Sequence, residues 1–138
     1  MRAREIIDLA NDIKKTWKTK NPFEIAKHLG IFVMFCDSKR KDFTAQTIQT
    51  AGYPTIVSIN DCYSETGKSV LCAHELGHAL LHTGINHFKV TEVNVRTNVE
   101  YEANLFAVAL LFEQEELNMS MDKMANSTLR ALLDYNIV

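Results

Sequence analysis

Three residues of this chain stand at a spacing suited to binding a metal: His74, Glu75 and His78, in the run His74-Glu75-Leu76-Gly77-His78. On an α-helix, residues four apart are turned by only about 40° and lie one turn apart on the same face. Both imidazoles can therefore reach one ion. Glu75, about 100° round from His74, sits beside that ion without having to bind it. A divalent ion so held lowers the pKa of a bound water to about 7 and polarises a carbonyl. Glu75 is then placed as the general base, taking a proton from the water and handing it to a leaving amine. The chemistry expected is peptide-bond hydrolysis, with Glu75 catalytic and His74 and His78 as metal ligands. A lone histidine on an amphipathic helix is an ordinary packed residue. Two at this spacing around a glutamate, with the small Ala73, Gly77 and Ala79 beside them, point to a metal.

A catalytic zinc takes three protein ligands and leaves a fourth position open. His82 is one turn beyond His78 and drifts round the helix, so it would give poor tetrahedral geometry. His87 lies past Gly84, and its spacing does not fit a third ligand that follows the motif at a fixed offset. The segment Glu100-Tyr101-Glu102-Ala103-Asn104-Leu105-Phe106-Ala107 is the better source. Glu100 and Asn104 share a helix face with Ala103 and Ala107, both small enough for close helix packing. Glu100 is the expected third ligand and Asn104 the residue that hydrogen-bonds a ligand histidine from behind. Glu102, about 200° from Glu100, stays as the less favoured alternative. Tyr53, Tyr63, Tyr101 and His87 are candidate oxyanion donors, among which the sequence does not choose.

These residues need helices and a sheet to hold them. Ile6, Ile7, Leu9, Ala10, Ile13 and Trp17 recur at helical spacing and predict a helix over 2–18. Asn21-Pro22-Phe23-Glu24 is a helix start with Asn as cap, and Gly30 a helix stop. Residues 31–36 read as a short buried strand, 45–51 and 55–60 as two more joined by a turn at Gly52-Tyr53-Pro54. Residues 55–60 are also a candidate edge strand for pairing with an extended peptide. A helix is expected from Gly67 to Gly84, a loop with a short strand at 90–95, a helix over 99–117, and a last one over 121–134 capped by Ser120. The fold expected is α+β, a small and mostly antiparallel sheet packed with about five helices. One domain covers residues 1–138.

Composition narrows the function further. A formal charge of −2 on 138 residues gives no global attraction to nucleic acid or anionic membrane. The basic pairs and runs Lys14-Lys15 and Lys39-Arg40-Lys41 read as solvated surface. The longest apolar run, Leu105 to Phe112, has eight residues, against about 20 for a membrane span. The first residues carry charge and no secretory pattern, so a cytoplasmic location is expected. Cys36, Cys62 and Cys72 fit neither a disulfide framework nor a structural zinc site, and read as buried, reduced thiols. Gly67-Lys68-Ser69 ends like a phosphate loop, but Cys62 stands where that loop needs its first Gly, which rules out a nucleotide site there.

The order of Asn21-Pro22 helix, short strands, His74-Glu75-Leu76-Gly77-His78-Ala79-Leu80-Leu81-His82, then Glu100-x-x-Ala103-Asn104-x-Phe106-Ala107 resembles the ImmA/IrrE family of metallo-endopeptidases. The resemblance runs over about residues 20–115. It implies a minimal thermolysin-like zincin core, one zinc ion on His74, His78 and Glu100, and a protein substrate, a helix-turn-helix repressor of a phage or mobile element. The family's Pro soon after its second motif is absent, Leu110-Leu111-Phe112-Glu113 standing there. With the chain ending at Val138, regulation through a large C-terminal sensory domain is not expected. Two other functions remain in view. One is a metal-containing module that holds a regulator without cutting it; the other is a purely structural metal site. Glu75 argues against the last, since a structural site fills its fourth position with protein and needs no base.

Overall fold

The computed structural model describes residues 3–37, 44–82 and 93–137, the side chains of 93–97 excepted. His87, Gly84, Lys39-Arg40-Lys41 and the part of the 90–95 strand before residue 93 lie outside the described residues. In chain order the elements are α1 (Ala3–Trp17), α2 (Pro22–His28), β1 (Phe32–Cys36), β2 (Ala45–Ile48), β3 (Ile56–Asn60), α3 (Glu65–Leu81), α4 (Val93–Leu111) and α5 (Asn126–Asp134). Single 3-10 turns at Gln114–Glu116 and Met121–Lys123 join the last two helices.

The caps explain several boundaries. The Asn21 side chain accepts from the Phe23 amide and Pro22 opens α2, as its sequence predicts. Its end is a Schellman turn: Ile31 N–H bonds Ala26 O, Gly30 N–H bonds Lys27 O, and Gly30 takes φ 72°. α3 starts two residues before Gly67, because Ser64 Oγ accepts from the Gly67 amide at 3.1 Å and so caps the helix. α4 covers 93–111 and not the expected 99–117, so residues 93–95, expected in a short strand, are helical. The acidic run Glu113 to Glu116 is unfavourable at a helix C-terminus. Glu113 and Glu116 instead cap each other in a separate turn. Lys14, expected to be plain surface, donates to Phe112 O at 3.3 Å and pairs with Glu113 Oε1 at 3.2 Å, holding the chain just past α4. The last predicted helix is split, with Ser120 making no side-chain cap bond and α5 starting only at Asn126.

The sheet has the order β1-β3-β2. β2 and β3 form the expected antiparallel hairpin, while β1 pairs with β3 in parallel, so the sheet is mixed. Residues 56–60 are thus the central strand; the edge strand on the site's side is β2. β3 is accordingly the buried one, with Val57 and Ile59 fully covered. α3 lies against β2 and β3 on one side and α4 on the other. α4 is apolar all round from Leu105 to Leu110, each of these residues at 0% exposure, because α1, α3 and α5 enclose it. Among the described residues, no helix is long and apolar enough to cross a membrane.

Candidate metal centre

α3 presents its histidines toward α4 because the two helices cross almost backbone to backbone. A Cβ on Gly77 would lie 3.0 Å from Ala103 Cα and 3.1 Å from Ala103 O. Gly77 and Ala103 therefore set the crossing, and side chains flanking Ala103 reach past α3 on either side. Glu100 is about 60° round α4 from Ala103 in one direction and Glu102 about 100° in the other.

The result is a cluster with close distances. His74 Nε2 and His78 Nε2 are 3.1 Å apart. Glu100 Oε2 is 3.3 Å from His74 Nε2, and its Oε1 is 3.2 Å from His78 Nε2. A tetrahedral zinc with ligand bonds of about 2.0–2.1 Å places its ligand atoms about 3.3 Å apart. The three side chains thus supply two neutral-capable nitrogens and a carboxylate along the edges of such a tetrahedron, a fit in both chemistry and size. Glu75 also has its carboxylate within 4.8 Å of both histidine nitrogens, so two acids compete for the third corner. Distance separates them: Glu75 Oε2 stands 3.9 Å from His74 Nε2. Its Oε1 is held elsewhere, accepting from Thr47 Oγ1 at 2.9 Å.

The surroundings tune these groups. Asn104 is 3% exposed; its Nδ2 donates to Asn126 Oδ1 at 2.8 Å, and its side chain also interacts with His74. Burial alone would lower the His74 pKa, but the Glu100 hydrogen bond and the nearby Glu75 charge outweigh it and hold the pKa above 6.5. Glu100 is held well below the usual carboxylate range by its hydrogen bonds with His74 and His78. Cys72, one turn from the cluster, has its thiol pushed up to about 12 by burial and then by Glu75. It is a thiol and not a nucleophile. Cys36 and Cys72 are at least partly buried, but Cys62 is exposed, against expectation; all three are unbridged.

His74, Glu75, His78, Glu100 and Asn104 all line one cleft of about 850 Å³. Its other walls are Thr44 and β2, through Ala45 to Thr47, and α5, through Arg130, Leu133 and Asp134. Tyr53, Tyr63 and Tyr101 do not line it. Glu102 does not join the three close groups; its Oε1 lies 3.2 Å from His82 Nε2. Sequence reasoning missed Thr47, Arg130, and the contact between His82 and Glu102. The strand alternation that turns Ala45 and Thr47 inward was the one available signal for the first.

A family profile described as the IrrE N-terminal-like domain, of a peptidase family, matches residues 26–133. The chain belongs to the ImmA/IrrE family of metallopeptidases. The ImmA/IrrE match includes both helices of the cluster, all three strands, and α5 up to Leu133. Among curated relatives, the chain is 31% identical over 99 residues to an uncharacterized immunity region protein 2 of Bacillus phage phi105, covering 70% of this chain and 61% of that protein. It is 29% identical over 109 residues to the metallopeptidase ImmA of Bacillus subtilis (strain 168), covering 78% of this chain and 63% of that one. The chain spans about three-fifths of the length of these two relatives. No solved structure matches it.

Proposed function

We propose that this chain is a zinc-dependent endopeptidase that cuts a cytoplasmic protein, a helix-turn-helix repressor of a phage or mobile element. The observation that carries the reading is the triangle of His74 Nε2, His78 Nε2 and the Glu100 carboxylate at 3.1–3.3 Å, with Glu75 outside it. In this reading His74, His78 and Glu100 hold one ion, and Asn104 orients His74. Zinc, when bound, supplies the Lewis acidity that polarises the scissile carbonyl and acidifies water.

The chain's own residues do the rest. Glu75 Oε2 takes a proton from the attacking water as its oxygen adds to the carbonyl carbon. Thr47 holds the other carboxylate oxygen, so that Oε2 faces the cleft. As the carbon–nitrogen bond breaks, Glu75 returns the proton to the leaving nitrogen, and water has been added across the peptide bond. The open edge of β2 borders the cleft, and an extended peptide can join it as a further strand. Arg130, on the facing wall, supplies a donor for substrate carbonyls. The repressor substrate is supported by the immunity-region name of the phage relative and by the ImmA relative.

The test is to load the protein with zinc and incubate it with the repressor encoded beside it, comparing wild type with Glu75→Gln. The expected result is cleavage by wild type and a fall of about 10²–10⁴-fold in the variant. Equal cutting by both removes Glu75 as base. Tight binding of the repressor with no cutting by either favours a holding module over a protease.

A further inference from the structure

His78 is engaged at both ring nitrogens. Its Nε2 faces His74 and Glu100, and its Nδ1 lies 3.0 Å from Nδ1 of His82. His82 is 2% exposed, at the C-cap of α3, and its Nε2 meets Glu102 Oε1 at 3.2 Å. A neutral imidazole carries one N–H, and that count settles who donates to whom. For His78 to offer a lone pair at Nε2, its proton must sit on Nδ1. It then donates to His82 Nδ1, which must be unprotonated, so the His82 proton is on Nε2 and donates to the Glu102 carboxylate. The His78–His82 and His82–Glu102 contacts then each have one donor and one acceptor. The reverse assignment puts the His78 proton on Nε2, pointing at the ion.

We infer that His82 and Glu102 are positioning residues for the metal. Glu102 selects the His82 tautomer, and His82 in turn fixes the tautomer and ring orientation of His78 that binding requires. This rests on His74, His78 and Glu100 being the metal's ligands. It also gives α4 two roles at one crossing: Glu100 approaches the histidine pair from one side of Ala103, and Glu102 steadies His78 from the other. The two acids flank the contact with Gly77, so one helix sets the ion's carboxylate and the orientation of one imidazole together.

The experiment measures zinc affinity by chelator competition, and the visible spectrum of the cobalt-loaded protein, for wild type, Glu102→Ala, Glu102→Gln, His82→Ala, the Ala/Ala double variant and Glu100→Ala. Far-ultraviolet circular dichroism checks that each metal-free variant is folded. Groups that orient a metal ligand are worth about 10–100-fold in metal affinity. Glu102→Ala and His82→Ala should each lose that much and shift the cobalt bands. Glu102→Gln, whose side-chain oxygen still accepts from His82, should regain most of it. The double variant should be little worse than either single one, since both act through one chain of bonds. Wild-type affinity in both single Ala variants, with zinc lost in Glu100→Ala, overturns the relay and keeps the metal site. Zinc retained in Glu100→Ala overturns the site itself. A Glu102→Gln protein as weak as Glu102→Ala shows that bulk or charge is what matters, and also overturns the relay. If His82→Ala fails to fold, the Glu102 pair decides the question alone.

Discussion

The proposed base, Glu75, is only as good as its aim, and its aim comes from a strand and not from its own helix. Glu75 Oε1 and Glu75 O both accept from Thr47 Oγ1, at 2.9 and 3.1 Å, so one hydroxyl is shared between them. Thr47→Val keeps the shape and removes the donor. The expected outcome is a fall of about 10-fold in kcat with little change in KM, because a hydrogen bond to a charged group is worth about 1.5–3 kcal/mol and only part of it bears on proton transfer. Steady-state kinetics on a repressor peptide checks this; a rise in KM alone would assign Thr47 to substrate binding. At this scale the sequence was half legible. The four-residue spacing of His74 and His78 carries its own geometry on a helix, and Glu100 with Asn104 obeys the same rule. Thr47 and the His82 to Glu102 contact depend on what faces what across space, which no local spacing encodes.

Helix crossing decides whether those residues meet. At Gly77 an added Cβ would lie 3.0 Å from Ala103 Cα, 3.1 Å from Ala103 O and 3.3 Å from Phe106 Cβ, and two of those neighbours cannot swing aside. Gly77→Ala should push α3 and α4 apart by a few tenths of an ångström, at a cost of about 1–3 kcal/mol in stability. The loss in urea unfolding should be larger with zinc present than without, because the shift also moves Glu100 off the histidines. Equal losses would mean that packing alone suffers. Element types were largely readable: five helices, three strands and the hairpin all follow from periodicity and caps. Boundaries were less so. The acidic run after α4 stops the helix, yet Leu110 to Leu117 still looks periodic enough to extend it. The direction of β1 is not written locally: a parallel ladder between residues 32–36 and 56–60 leaves no mark at the turn that joins β2 to β3.

Across the whole molecule, the cluster makes stability depend on pH and on metal in opposite ways. Without metal, Glu100 has its pKa lowered, so its contribution is present above about pH 4.3 and lost as pH falls. His74 has its pKa raised, so its contribution is full below about pH 6.5 and lost as pH rises through the folded value. The metal-free protein should therefore be best stabilised by this cluster in the weakly acidic window between those values. Metal binding needs His74 without its proton, so it strengthens over the same rise in pH. The gap in melting temperature between zinc-loaded and chelated protein should widen from about pH 5.5 to pH 8. Calorimetry with and without chelator checks it, and a gap that narrows would remove His74 from the site. The strand order has a consequence of another kind, in the timing of synthesis. β1 and β2 both pair with β3 alone among the described residues, so neither has a ladder until Asn60 has been made. Glu100 and then Asn126 emerge later still. A nascent chain thus carries His74 and His78 before Glu100, and every residue of the sheet has been made before that carboxylate is.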